Sequence, residues 1–167
     1  MTDSLKALIE ACRNGEANYQ DLVDRVPYAR FLGIELLVQG EELTFILPRN
    51  ENNIGNPTLP ALHGGAVAGF MEQAAIIFIL LEMGEPKVPK TIDFTIDYLR
   101  AGLFRDTFAE CRITRLGRRI ANVHLSAWQK RRDEPITIAR AHFLAACQAL
   151  QALEGALHCR DRDVWAG

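Results

Sequence analysis

In the stretch ALHGGAVAGFMEQAAIIFILLEMG, residues 61–84, one histidine and two glycines precede an apolar run whose first charged residue is Glu72. From Ala66 to Leu81 the only strongly polar side chains are Glu72 and Gln73. A helix that is apolar all round is built for burial, where an ionised carboxylate costs several kcal/mol in order of magnitude unless it is paired or hydrogen-bonded. Gly64 and Gly65 at the mouth of such a helix leave backbone N–H groups unshielded by side chains. At the positive end of the helix dipole these groups suit an oxygen carrying negative charge, as in an oxyanion hole. Glu72 lies seven residues beyond Gly65, about two turns at ~3.6 residues per turn, so its side chain shares that face and leans back toward the mouth. Amides that hold a carbonyl oxygen, with a carboxylate that attacks or that activates water, are the groups needed for attack on an acyl carbon.

The elements that must position these groups follow from the hydrophobic pattern. Residues 4–13 and 19–26 carry short helical patterns, punctuated by Pro27 and Gly33, and predict a helical N-terminal cover over residues 1–26. GIELLVQGEELTFILP predicts two strands around Gly40, and RNENNIGNPTLPA predicts a loop leading into His63. After Gly84, TIDFTIDYL alternates, with Ile92, Phe94, Ile96 and Tyr98 on one face and Thr91, Asp93, Thr95 and Asp97 on the other. Strands over 107–114, 119–129 and 135–146 are separated by connections short enough for antiparallel hairpins. Ala121, Val123, Leu125 and Ala127 offer a small-residue face on which a helix can pack closely. The sum is an α+β fold in which an antiparallel β-sheet of five or six strands wraps a long central apolar helix. It forms one domain over residues 1–167, with 148–167 as a C-terminal tail.

Composition narrows the function classes. A net charge of −2 supplies no global field for nucleic acid or an anionic membrane. The N-terminus lacks the apolar core of a secretory signal, and the run 66–81 is shorter than the ~20 residues of a membrane span. A soluble cytoplasmic protein is the expectation. Cys12, Cys111, Cys147 and Cys159 have no CxxC spacing and predict free thiols. No arrangement of histidines and carboxylates has metal-ligand spacing, so no metal is predicted.

GNPTLPALHGGAVAGFMEQA, then TIDFTIDYLRAG, then TRLGRRIANVHLSAW resemble the hotdog-fold acyl-CoA thioesterases of the phenylacetic-acid-degradation (PaaI-like) type, from about Val26 to Ala146. In that family HGG opens the central helix, and an acid nine residues after the histidine is the catalytic carboxylate, here Glu72. The resemblance implies that the Gly64 N–H polarises the thioester carbonyl, with His63 and Gly65 completing the motif. It further implies that Thr91 helps position water from a partner subunit, and that Gly117, Arg118 and Arg119 form the basic hairpin near the CoA phosphates. Asn53 or Asn56 stands for the family's polar residue before HGG. The implied reaction is acyl-CoA plus water to a carboxylic acid plus CoA, in a homodimer or homotetramer, with CoA present only as part of the substrate and no separate cofactor.

Plainer readings stand beside these. Glu72 is otherwise a structural carboxylate, bonded to backbone or paired with an arginine such as Arg100. His63 fits a structural or substrate-orienting role better than that of general base, since no Ser or Cys nucleophile is marked beside it. His124 and His142 read as ordinary strand histidines. The basic residues of the two hairpins, 115–119 and 130–132, read as solvated turn residues by default, and Trp128 as a packing residue rather than a platform for adenine. A hotdog enoyl-CoA hydratase or dehydratase and a non-catalytic acyl-CoA-binding protein are the rival functions.

Overall fold

The computed structural model describes residues 2–40, 42–117 and 119–145; the C-terminal tail and Arg118 lie outside them. Three helices open the chain: α1 (Thr2–Arg13), α2 (Tyr19–Asp24) and α3 (Pro27–Leu32). The third was not expected. Pro27 stands in its first turn, where a missing N–H costs nothing, and Gly33 ends it at φ 70° in the left-handed region. Together they send Ile9, Leu22, Val23, Ala29 and Leu32 into the core.

Strands β1 (Glu35–Gln39) and β2 (Glu42–Leu47) form the expected hairpin. The predicted loop then contains a 3-10 turn (Glu51–Asn53) and two short paired strands, β3 (Ile54–Asn56) and β4 (Ala61–Leu62). Gly55 is required in this clip, because a Cβ there would lie 2.6 Å from the His63 Cα. Helix α4 (Gly64–Met83) follows, and then β5 (Lys90–Tyr98), β6 (Thr107–Leu116), β7 (Ile120–Trp128) and β8 (Thr137–Leu144).

The six main strands form one antiparallel sheet in the order β1-β2-β6-β7-β8-β5. Helix α4 packs against it. Ala121, Val123, Leu125 and Ala127 of β7, with Ala139, Ala141 and Phe143 of β8, are buried together with Phe70, Met71, Ala74 and Ile77 of α4. These small strand residues let the helix backbone approach, and the large helix residues fill the remaining space. Truncating Phe70 to Ala should cost ~3–5 kcal/mol through lost burial and a residual cavity.

Helix α4 spans 20 residues and is long and apolar enough to cross a membrane by length and composition, so the shorter run read from the sequence is corrected. Here it serves as the core helix. Its buried face is not continuous all round, however. Gly65 is exposed and Ala68, Gly69 and Glu72 are only partly covered, so an open strip of small residues leads from the helix mouth to the carboxylate. Glu72 sits at the end of that strip, which answers the cost of placing a charge on this helix.

Candidate active site

The helix mouth is held by its own first residues. His63 is the N-cap of α4 at φ −67°, ψ 130°, and its Nδ1 accepts the Gly65 N–H at 2.9 Å. The His63 carbonyl accepts the N–H groups of Ala66 and Val67 at 3.0 and 3.2 Å. Of the four N–H groups that a helix start leaves open, only that of Gly64 meets no acceptor among the described residues. The expectation that both glycines present free amides is therefore corrected: Gly65 is occupied by the cap and Gly64 is the available donor. Because Nδ1 accepts, the neutral His63 ring carries its proton on Nε2, which makes that nitrogen a donor and not a base.

Two further contacts fix this mouth. The Tyr98 hydroxyl donates to the Gly64 carbonyl at 2.7 Å, and the His63 N–H donates to the Asn53 carbonyl at 2.7 Å. Tyr98 and His63 thus grip the Gly64–Gly65 peptide from its two polar ends. Burial pushes the Tyr98 phenol above its ordinary pKa, which keeps it a donor. Asn53 is 7% exposed, and its Nδ2 is buried without an acceptor among the described residues. Asn56 instead caps the following turn, accepting the N–H groups of Thr58 and Leu59. Of the two asparagines considered from the sequence, Asn53 is therefore the one joined to the helix mouth.

At the other end of the open strip the Thr91 hydroxyl donates to Glu72 Oε1 at 2.6 Å. Strict alternation would turn Thr91 away from the helix, and the structure corrects that face assignment. The pairing of β5 with β8 shifts between Thr91 and Asp93, so Thr91 opposes Phe143, Asp93 opposes His142, and Ile92 is the extra residue. Such a bulge turns Thr91 to the helix side while Phe94 and Ile96 keep theirs, and it leaves Ile92 56% exposed. The expectation that Thr91 reaches Glu72 from a partner subunit is also corrected, since both belong to one chain here. Arg100 does not pair with Glu72; its guanidinium donates to the Pro135 carbonyl at 2.6 Å.

The two polar centres are well separated in the chain. Gly64 and Glu72 are eight residues apart on α4, about 12 Å at ~1.5 Å per residue. Their contacts on β5, Tyr98 and Thr91, are seven residues apart, about 23 Å at ~3.3 Å per residue and somewhat less across the bulge. A reacting carbonyl must lie ~3 Å from both its oxyanion donor and its nucleophile or base. Within a single chain the Gly64 N–H and the Glu72 carboxylate therefore do not meet at one carbon, contrary to the reading of a single shared face.

The two basic turns differ. In the turn after β7, Arg131 pairs with Asp133 at 2.5 Å, and Arg132 pairs with Glu110 and, at 3.1 Å, with Glu42. Arg132 also stacks over Trp128, which packs against Phe108, so that ring is engaged within the fold. The turn between β6 and β7, which carries Gly117 and Arg119, lies at the opposite end of the sheet. Ile120 and Lys90 both oppose Leu144, which places this turn at the end that carries Thr91. Arg119 is exposed; Arg118 falls outside the described residues. His142 lies 3.3 Å from Asp93 on the outer sheet face, and His124 shares that face, away from Glu72. Among the described residues no group of three or more His, Cys, Asp or Glu is placed to hold a metal ion. Of the four cysteines, Cys12 and Cys111 are unpaired, and the other two lie outside the described residues.

Tyr98 was not singled out from the sequence as part of the site. Its signal was present: an aromatic residue ending the helix-facing row of β5, with a polar tip that must find a partner.

The thioesterase superfamily model matches residues 59–136, from the approach to α4 through the turn before β8. A solved structure from Chromobacterium violaceum is 40% identical, with a TM-score of 0.67 over 83% of this chain and 96% of that one. A thioesterase from Haemophilus influenzae is 20% identical, with a TM-score of 0.67 over 77% of this chain and 90% of the other. The Escherichia coli PaaI protein from the phenylacetic acid degradation operon is 16% identical, with a TM-score of 0.62 over 76% and 92%. These last two share the fold. No curated protein matches the chain in sequence.

Proposed function

The chain belongs to the thioesterase superfamily and has its hotdog fold, and from this we propose that it hydrolyses acyl-CoA thioesters at a site shared between two copies of the chain. The observation that carries the reading is the pairing of one unengaged helix-mouth N–H, that of Gly64, with a carboxylate held by a hydroxyl, Glu72 with Thr91. The Gly64 N–H takes the thioester oxygen as it gains charge. Glu72 either attacks the acyl carbon or removes a proton from a water that attacks it. In the first case the C–S bond breaks, CoA leaves as thiolate, and water then hydrolyses the resulting anhydride to the free acid and Glu72, while the thiolate takes up a proton released in that step. In the second case the water oxygen bonds to carbon, the C–S bond breaks, and the leaving CoA thiolate takes up the proton. Thr91 occupies Oε1, which fixes the carboxylate and leaves Oε2 for the reaction. His63 Nε2–H is a further donor at the mouth, and Asn53 Nδ2 is a buried donor on the residue that holds the His63 N–H.

Strand β5 supports the sharing. It is an edge strand of nine residues, long for an edge left unpaired, and such an edge is a template for a second strand. Antiparallel pairing of β5 with its copy about a two-fold axis brings the Tyr98 end of one chain beside the Thr91 end of the other. The Gly64 mouth of one subunit then faces the Glu72 carboxylate of its partner, and two sites form per dimer. Arg119 and Lys90, both exposed, share the sheet end with Thr91, and in this reading they meet the CoA phosphates by charge-assisted hydrogen bonds. The reaction needs no cofactor beyond the CoA of the substrate.

A thiol-release assay over short, medium, long and aryl acyl-CoAs tests this. Wild type should release CoA from at least one class, and Glu72→Gln, which keeps shape but not charge, should lose activity by orders of magnitude. An acyl-CoA that binds wild type with no thiol released from any substrate would identify a binding protein instead.

A further inference from the structure

We infer that Tyr28 and Phe31 form the wall of the acyl end of this site and select thioesters with apolar acyl groups larger than acetyl; the inference rests on the acyl-CoA reading above. The two residues are one helical turn apart on α3, and their rings stack at 5.9 Å between centroids and 17° between planes. Helix α3 already gives Ala29 and Leu32 to the core, so this pair makes a second apolar face that the fold does not use. Phe31 is 78% exposed, the most open large apolar side chain among the described residues, and Tyr28 is 46% exposed.

Their position gives that face an occupant. The Tyr28 ring sits on Gly69 of α4, where a Cβ would lie 3.1 Å from both Cε1 and the hydroxyl oxygen of Tyr28. Gly69 is three residues before Glu72, one turn back on the same face, and a helical side chain lies over the turn N-terminal to its own Cα. The aromatic stack therefore begins beside the carboxylate and runs outward to Phe31. A thioester carbon held at Glu72 has its acyl chain next to Tyr28, and each further methylene is offered apolar cover by the stack. Acetyl is too short to use it.

The test is kcat/KM for acetyl-, hexanoyl- and decanoyl-CoA with wild type, Phe31→Ser and Phe31→Leu, alongside oligomeric state by light scattering. Phe31 is exposed, so substitution there leaves the core packing intact. Wild type should prefer the longer chains, and Phe31→Ser should lower kcat/KM for decanoyl-CoA by roughly tenfold, as expected when about two methylenes lose apolar cover. The loss should fall mainly on KM, acetyl-CoA should change less than about twofold, and Phe31→Leu should restore part of the preference. An equal change for every chain length, or no change, overturns the inference while leaving thioester hydrolysis standing. A change in oligomeric state with selectivity unaltered assigns the pair to a subunit contact and also overturns it. Failure of wild type to hydrolyse any of the three overturns this inference, and it removes the acyl-CoA reading as well only if long-chain and aryl acyl-CoAs are also left intact.

Discussion

The Thr91 hydroxyl donates to Glu72 Oε1 at 2.6 Å within one chain, and the β-bulge at Ile92 makes the contact possible. A hydroxyl at this position binds the charged form of the carboxylate and restricts its rotation. Thr91→Val keeps the branched shape and removes the donor. It should lower kcat for thioester hydrolysis by about tenfold or more with little change in KM, because orientation is felt mainly in the transition state. Thr91→Ser should recover most of the rate. Equal losses in the Val and Ser variants would show that the methyl group matters and the hydroxyl does not.

Asn53 offers a test with opposite outcomes for its two roles. A buried donor without a partner destabilises the fold, so removing it as Asn53→Ala should leave thermal stability nearly unchanged or slightly higher. If Nδ2 joins the Gly64 N–H on the thioester oxygen, the same variant should lose about a hundredfold in kcat. Lowered stability with unaltered kcat would make Asn53 a packing residue.

Tyr98 holds the Gly64 carbonyl at 2.7 Å and so acts on the reaction only through the helix mouth. Tyr98→Phe should cost ~0.5–1.5 kcal/mol of stability for one lost hydrogen bond, and it should reduce kcat several-fold with KM preserved. A KM effect alone would indicate that the phenol touches substrate instead.

Much of this was legible in the sequence because long periodic segments report burial directly. The apolar run after His63 gave α4, and the alternations after Gly84 gave the strands of one antiparallel sheet. What the pattern concealed has physical causes. A bulge shifts register by one residue without any fixed sequence mark, so alternation placed Thr91 on the wrong face. Helix α3 is apolar on both its core side and its Tyr28–Phe31 side, so it shows no clean period. The clip β3–β4 is set by the close approach of Gly55 to His63, a contact that no local pattern encodes. The distance between Gly64 and Glu72 was implicit in their spacing. Its consequence became clear only when Tyr98 and Thr91 appeared at opposite ends of β5.

The most direct measurement is activity in mixed subunits. Glu72→Ala removes the carboxylate. Gly64→Pro removes the proposed oxyanion donor at the first helical position, where proline is tolerated, and His63 already has the backbone angles that a following proline requires. The added ring meets the Tyr98 hydroxyl, 3.0 Å from the new Cβ, and needs a shift of a few tenths of an ångström there. Each variant alone should be nearly inactive. After subunit exchange, confirmed by mass, mixed dimers should regain thiol release, because one of their two sites unites an intact Gly64 N–H with an intact Glu72 and its own Thr91. Confirmed exchange with no recovered activity would contradict the shared site.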